Sequence, residues 1–362
     1  MLSTEQARVY TRLIMLTTAT IDRILNTIPG RTVGLVGDLF LDRYFDIDAG
    51  LDEPSVETGL TAYQVAGVRC YPGALGTVLN NLVALGVGRV HPITVIGDDG
   101  EGYELRKVLA AMPGVVTSDI VVSTDRRTPS YNKPMRNEAG AVRELNRLDV
   151  KNRTPTPAGV TADVIRRLEA AWGRFDALLV LDQVSEDNCG VVTTAVREKL
   201  AELGARDPAK FVLADSRERI GLFRNVCVKP NRDELSRCPK PESVSQLMWL
   251  AAATERIVFC TDGARGIDVC RTIGRKEHRT LNHLTVQTVP AYPVTGPIDV
   301  CGAGDSCSAA LACAMSAGCS PEEAAAFGNL VASITIQQIG VTGTASPEQV
   351  RKRNDDDFLR YV

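Results

Sequence analysis

At 362 residues the chain has length for two average domains or one large α/β domain, so size does not limit its core. Hydrophobic residues at 44% and charged residues at 23% are ordinary for a soluble globular protein, and a net charge of -3 gives no basic field for DNA or RNA. The first residues carry scattered charges (Glu5, Arg8, Arg12, Asp22, Arg23) with no apolar core before a small-residue cleavage site, and no later run reaches membrane-spanning length. A cytoplasmic protein with no membrane partner is the expectation.

Residues 3 to 28 set Val9, Leu13, Leu16, Ile21, Ile24, Leu25 and Ile28 at near-helical spacing and stop at Pro29-Gly30. This predicts a helical extension over 1–30, packed on a main domain over 31–362. Short apolar runs follow, separated by helical stretches: Val33 to Gly37, Ile93 to Gly97, Ala177 to Leu181, Phe211 to Ala214 and Ile257 to Cys260. Strands alternating with helices predict an α/β fold with a mainly parallel sheet covered on both faces. Two stretches break the rhythm, about 43–71 and 121–149, being polar, β-branched and rich in turn residues. They predict a small antiparallel flap over one end of the sheet; long surface loops are the alternative, one that compact domains seldom carry without a function. Exposed flap edges invite a partner strand, so a homodimer through the flap is expected.

Ten cysteines spread through a long chain read as free buried thiols rather than a disulfide framework. Cys301, Cys307, Cys313 and Cys319 recur every six residues, unlike the short pairs of structural zinc sites, and His91, His278 and His283 show no ligand spacing.

The most informative segment is Asp299-Val-Cys-Gly-Ala-Gly-Asp305, followed by a small, apolar stretch from Ser306 to Ala317 that predicts a buried helix. A glycine loop running into a helix is an anion-binding construction. Gly302 and Gly304 let successive N–H groups around Ala303 point at one spot, where the helix dipole already favours negative charge. Asp305 then stands in the first helical turn, able to take a proton from an attacking hydroxyl. For these residues alone, an ordinary tight turn with Asp305 as a cap is an equal reading. No Gly-Lys-Ser/Thr follows, and Gly34-Leu-Val-Gly37 is not GxGxxG, so the P-loop and the dinucleotide-binding turn are disfavoured.

The segment resembles the C-terminal signature of the ribokinase family, also called the PfkB carbohydrate kinases, of the form Asp-Thr-x-Gly-Ala-Gly-Asp, with Val300 and Cys301 in its middle here. The resemblance extends from about Val33 to Pro347. It is closest to the heptose-phosphate kinase branch, whose Gly-Asp-x-x-Leu-Asp-Arg-Tyr opening is similar to Gly37 to Tyr44. It implies a three-layer sandwich with a β lid, and ATP-dependent phosphorylation of a sugar or sugar-phosphate hydroxyl. Asp305 is implied as catalytic base, Gly302, Ala303 and Gly304 as the anion hole, and Asp42, Gly73, Thr77 and Asp182 as acceptor contacts. Asn231, Thr261, Gly263, Gly266 and Asn329 are implied at the nucleotide, with Glu234 organising magnesium through water. Asp299 and the loop Gly340 to Ser346 resemble a monovalent-cation site, which makes potassium activation an expectation.

Apart from the resemblance, Ser320-Pro321-Glu322-Glu323 reads as a capped helix start. Thr261-Asp-Gly263-Ala-Arg-Gly266 also reads as a strand-to-strand hairpin, and Asp42 as a loop cap. The main departure is Gly73-Ala-Leu-Gly-Thr77-Val-Leu, where the family has Gly-Gly-Ala-x-Asn-x-Ala: Thr77 replaces the usual Asn and reaches less far. Arg69, Lys133, Arg136 and Arg143 fall in or beside the flap, either to clamp a phosphate on the acceptor or as solvated surface charge. Cys301 lies where backbone donors would lower a thiol pKa, or is simply a small buried residue. A nucleoside or vitamin kinase of the same fold is the first alternative, and a non-catalytic nucleotide or sugar sensor the second.

Overall fold

Leu, Val and Ile alternate with helical stretches, and the computed structural model turns this pattern into layers; it describes residues 16–138, 140–239, 245–272 and 284–361, the side chains of 356–361 excepted. The main sheet has eight strands in the spatial order Leu284–Val289, Ile267–Thr272, Val258–Thr261, Cys227–Val228, Phe211–Ser216, Ala177–Asp182, Thr32–Gly37 and Arg89–Ile93. From Arg89–Ile93 to Val258–Thr261 all neighbours are parallel, and the last two strands add antiparallel pairs. Alternate side chains along a strand enter different cores. Ala177, Leu179 and Leu181 join Leu213, Phe259 and the helices Leu75–Leu85, Ala303–Ser316 and Pro321–Thr335. Leu178 and Val180 join Val212, Ala214, Val258 and the helices Ala158–Ala171, Thr194–Arg206 and Gln246–Thr254. Helix, sheet and helix make the expected three-layer sandwich.

At the N-terminal side, Thr17 caps the helix Thr18–Thr27, which buries Ile21, Ile24 and Leu25. A 3-10 turn over Ile28–Gly30 ends it at the predicted Pro-Gly. The part of the predicted helix before Leu16 lies outside the described residues.

A second sheet of five strands stands over the carboxyl ends of the parallel strands, where α/β folds bind their ligands. Only Asp38 separates the main-sheet strand Thr32–Gly37 from Leu39–Asp48, so the chain passes directly from one sheet into the other. Leu39–Asp48 pairs antiparallel with Val65–Ala74 and parallel with Ser130–Glu138, and the latter pairs antiparallel with Ala141–Glu144 and Leu148–Val150. The small sheet thus draws on residues before 43 and after 71. Val121–Ser123 is not part of it and pairs with Val95–Gly97 instead. Exposed apolar side chains gather on this sheet and its tip, among them Val56, Leu60, Tyr63, Val68, Tyr71 and Leu148. All ten cysteines are free thiols, and among the described residues no helix is long and apolar enough to cross a membrane.

Candidate active site

Gly302 takes φ +78, the left-handed conformation, and a Cβ there would lie 2.5 Å from Thr342 Cγ2, so only glycine fits this turn. The helix Ala303–Ser316 starts immediately after it, its first turn closed by Ser306 N–H donating to the Gly302 carbonyl at 2.9 Å. Ala303 N–H donates to the Val300 carbonyl at 3.1 Å. The donors left at the helix start are therefore those of Gly302, Gly304 and Asp305, and Ala303, expected in the anion hole, supplies none. Asp305 is half-buried in this turn. Burial and the neighbouring Asp215 push its carboxyl up to about 7, with Lys229 and Arg217 pulling in the opposite direction.

Across the cleft, Asp42 lies on Leu39–Asp48. Lys133 Nζ donates to its Oδ2 at 3.1 Å and to Tyr44 Oη at 3.0 Å. The other oxygen, Oδ1, is buried with no hydrogen-bond partner, a costly state that a hydroxyl donor would relieve. A Cβ on Gly73 would fall 2.7 Å from that same Oδ1, so the glycine makes room for the carboxylate. Thr77 is buried behind the loop, its Cγ2 3.6 Å from where a Cβ on Gly302 would sit. Asp42, Lys133 and Asp305 all lie near enough to the Cys301 thiol to act on its charge, so the small sheet and the glycine loop come close together here.

On the third side, Asn231 and Glu234 form a capping box on the short helix Arg232–Ser236: each side chain accepts the other's backbone N–H at 2.8 Å. Burial and Asp215 push the Glu234 carboxyl up, partly offset by Lys229. Thr261 joins this turn through its N–H to the Pro230 carbonyl, 2.9 Å. Gly263 and Gly266 bracket the link between two antiparallel strands, so this loop is the hairpin that the sequence allowed. Asp299 ties two loops together, accepting from Cys301 N–H at 3.0 Å and Gly340 N–H at 3.2 Å. Among the described residues no three His, Cys, Asp or Glu side chains converge as a metal cage. A half-buried Glu234 whose charge is disfavoured fits magnesium instead, which is held through one or two carboxylates, waters and substrate phosphates.

Residues 45–349 match the family described as pfkB family carbohydrate kinase. This chain belongs to that family. It is thus a carbohydrate kinase with a ribokinase-like fold. Curated relatives named bifunctional protein HldE include one from Mesorhizobium japonicum, 27% identical over 325 residues, covering 87% of this chain and 60% of that protein. Another, from Syntrophotalea carbinolica, is 25% identical over 349 residues, covering 94% and 66%. The chain therefore spans less than two thirds of the length of these relatives. Among solved structures, Arabidopsis thaliana ribokinase with ribose and ATP aligns at TM-score 0.59 and 17% identity, covering 90% of this chain and 98% of that one. An E. coli chain assigned provisionally as ribokinase II, with ATP and Mg2+, aligns at 0.60 and 17%, covering 90% and 99%. Burkholderia thailandensis nucleoside kinase with inosine aligns at 0.58 and 14%, covering 90% of this chain and 99% of that one.

In this pfkB kinase two of the expected contact residues, Asp182 and Asn329, have partners within the fold. Asp182 is 1% exposed, and both its oxygens are occupied: Oδ1 by Arg219 at 2.8 Å, Oδ2 by Ser216 at 2.6 Å and Arg219 at 3.2 Å. Asp182 is thus held inside the fold by Arg219 and Ser216. Asn329 is buried, and its amide nitrogen donates to the carbonyls of Val289 and Pro290 at 3.0 Å each, fastening the end of the edge strand. Of the flap cations only Lys133 reaches the cleft carboxylate. Arg69 is paired with Asp46 at 2.8 Å, Arg136 with Asp52 and Glu138 at 2.5 Å, and Arg143 lies exposed opposite Arg136 on the outer strand. Cys301 is exposed, so it is not the small buried residue that the sequence allowed, and its thiol is pushed up, by partial desolvation and by the carboxylates of Asp299, Asp305 and Asp42, rather than down as the loop donors suggested. Lys229 and Asp215 were not anticipated. The only sequence signal is that each is an ionisable residue at the end of an apolar run, Asp215 after Phe211 to Ala214 and Lys229 after Cys227–Val228.

Proposed function

We propose that this kinase transfers the γ-phosphate of ATP to a hydroxyl of a sugar or sugar phosphate. The observation that carries the reading is the unpaired, buried Oδ1 of Asp42, close to the glycine loop that leads into Asp305. A polyhydroxy acceptor donates to Asp42 while Lys133 holds that carboxylate in place. Gly73 keeps the approach open, and Thr77 supports the glycine loop. Asp305, holding its proton with an affinity near neutral pH, accepts the proton of the attacking hydroxyl. The N–H groups of Gly304 and Asp305, with the helix dipole behind them, stabilise negative charge developing on the transferred group. The capping-box turn Asn231 to Glu234 and the Thr261 to Gly266 loop border the nucleotide. Magnesium bound with ATP neutralises phosphate charge.

A heptose-phosphate-like acceptor is supported by the HldE relatives, while Thr77 in place of the family's Asn supports a pocket of altered reach. Asp299 and the Gly340 to Ser346 loop form a potassium site in this reading, with the carboxylate bridging the loops and carbonyls as ligands. A second copy pairs through the small sheet, whose exposed apolar side chains and open edges support that contact.

The test is ADP release from ATP and magnesium with a panel of sugars, sugar phosphates including heptose 7-phosphate, and nucleosides. Release that depends on a sugar-class acceptor supports the reading. Release with nucleosides alone moves the assignment to a nucleoside kinase, and nucleotide binding without release across the panel moves it to a sensor.

A further inference from the structure

Lys229 is 3% exposed and Asp215 is 8% exposed, and their Nζ and Oδ2 atoms are 2.9 Å apart. Asp215 lies near the end of the strand Phe211–Ser216, Lys229 follows the neighbouring parallel strand Cys227–Val228, and the two meet under the glycine loop. Asp215 Oδ2 also accepts Ser308 Oγ at 3.2 Å. Ser308 lies three residues beyond Asp305 in one helix, so both stand on the same helical face. A Cβ on Gly304 would lie 3.6 Å from Lys229 Nζ, which sets the ammonium directly against the residue preceding Asp305. A buried ion pair is seldom retained for stability, because desolvating two charges offsets their attraction. Here its surroundings indicate another use.

We propose that Lys229 and Asp215 are a positioning pair for Asp305: the ammonium stands beneath the glycine loop as the buried counter-charge of the Asp305 carboxylate, and Asp215 holds the ammonium there. The proposal rests on the reading of Asp305 as the base. The groups that act on Asp305 are Asp215, Lys229 and Arg217, from the strands Phe211–Ser216 and Cys227–Val228 or the residues directly after them. Arg217 is exposed and its guanidinium bonds Gln183 at 2.8 Å, so water screens it. Lys229 is the buried cation of the set, where a charge acts most strongly. The two halves of the pair pull Asp305 in opposite directions. Losing the Lys229 charge removes a cation and also frees the negative charge of Asp215, so Asp305 holds its proton more tightly. Losing the Asp215 charge removes a like-charged neighbour, so Asp305 releases its proton more readily.

The experiment is a carboxyl-carbon NMR titration of the apo protein with 13C-labelled aspartate over roughly pH 4 to 9, a span covering the carboxyl and neutral ranges. The Asp305 signal is identified by its loss in Asp305→Asn. Lys229→Met should move its midpoint up by about one pH unit, Asp215→Asn should move it down by a similar amount, and Lys229→Arg should leave it near the wild-type value. Should Lys229→Met fail to fold, because Asp215 is left buried and unpaired, Asp215→Asn and the double variant carry the test, the latter returning towards wild type. Midpoints that do not move, or that move in the same direction in both single variants, overturn the pair. Turnover of Asp305→Asn tests the base independently, so the two ideas fail separately.

Discussion

Replacing Asp305 with Asn removes a carboxyl that the fold holds at about 7 against an ordinary 3.8. A carboxyl raised in this way costs stability once the unfolded chain ionises. The cost is absent below 3.8, grows between 3.8 and 7, and is complete above 7. Taken at face value it is about 4 kcal/mol, and because Asp305 is only half-buried, water and local relaxation reduce it to about 2 kcal/mol. Asn keeps the shape without the charge. In urea unfolding at about pH 8 the variant should therefore be more stable than wild type by about 2 kcal/mol, with the gap closing towards pH 4. Turnover should fall by about 100-fold to 10,000-fold, the usual contribution of a positioned base. A variant less stable than wild type at pH 8, or a stability gap independent of pH, would refute the argument from burial and from Asp215.

Asp42→Asn should lower kcat/KM for the acceptor by about 100-fold, since an amide both weakens the acceptor grip and loses the Lys133 ion pair; the Kd of ATP by calorimetry should not change. Ala74 precedes the helix Leu75–Leu85 at φ +53 and ψ -113, a region that side chains rarely occupy. Ala74→Gly should raise stability by about 1 kcal/mol in urea melts, where the family's own motif has glycine. Initial rates should be higher in potassium than in sodium at equal ionic strength, and equal rates would remove the Asp299 site.

The layered core was legible because period-two alternation in strands such as Ala177–Asp182 assigns each side chain to a face before any contact is known. The glycine loop was legible because a left-handed turn at Gly302 and an acidic first helical turn are local features. Other features depend on distant partners. Asp182 and Asp215 both end apolar runs on adjacent strands; Arg219 neutralises the first behind the sheet, while Lys229 holds the second beneath the loop, and nothing in either run announces its partner. Asn329 reads as a helix residue on either face until the edge strand supplies the carbonyls of Val289 and Pro290. The small sheet was bounded too tightly at 43–71 because the strand leaving Gly37 continues without a turn signal. The reach towards 121 was too long because Val121–Ser123 finds its partner in Val95–Gly97.

Phosphorus-31 NMR of the products formed from ATP, magnesium and heptose 7-phosphate or its unphosphorylated sugar, by wild type and by Asp305→Asn, tests the central claim most directly. A new phosphate-ester signal growing with ADP in wild type, and absent at matched times in a folded, ATP-binding variant, is the predicted result. An ester formed at equal rates by both proteins would contradict Asp305 as the base, and inorganic phosphate alone from wild type would contradict transfer to a sugar hydroxyl.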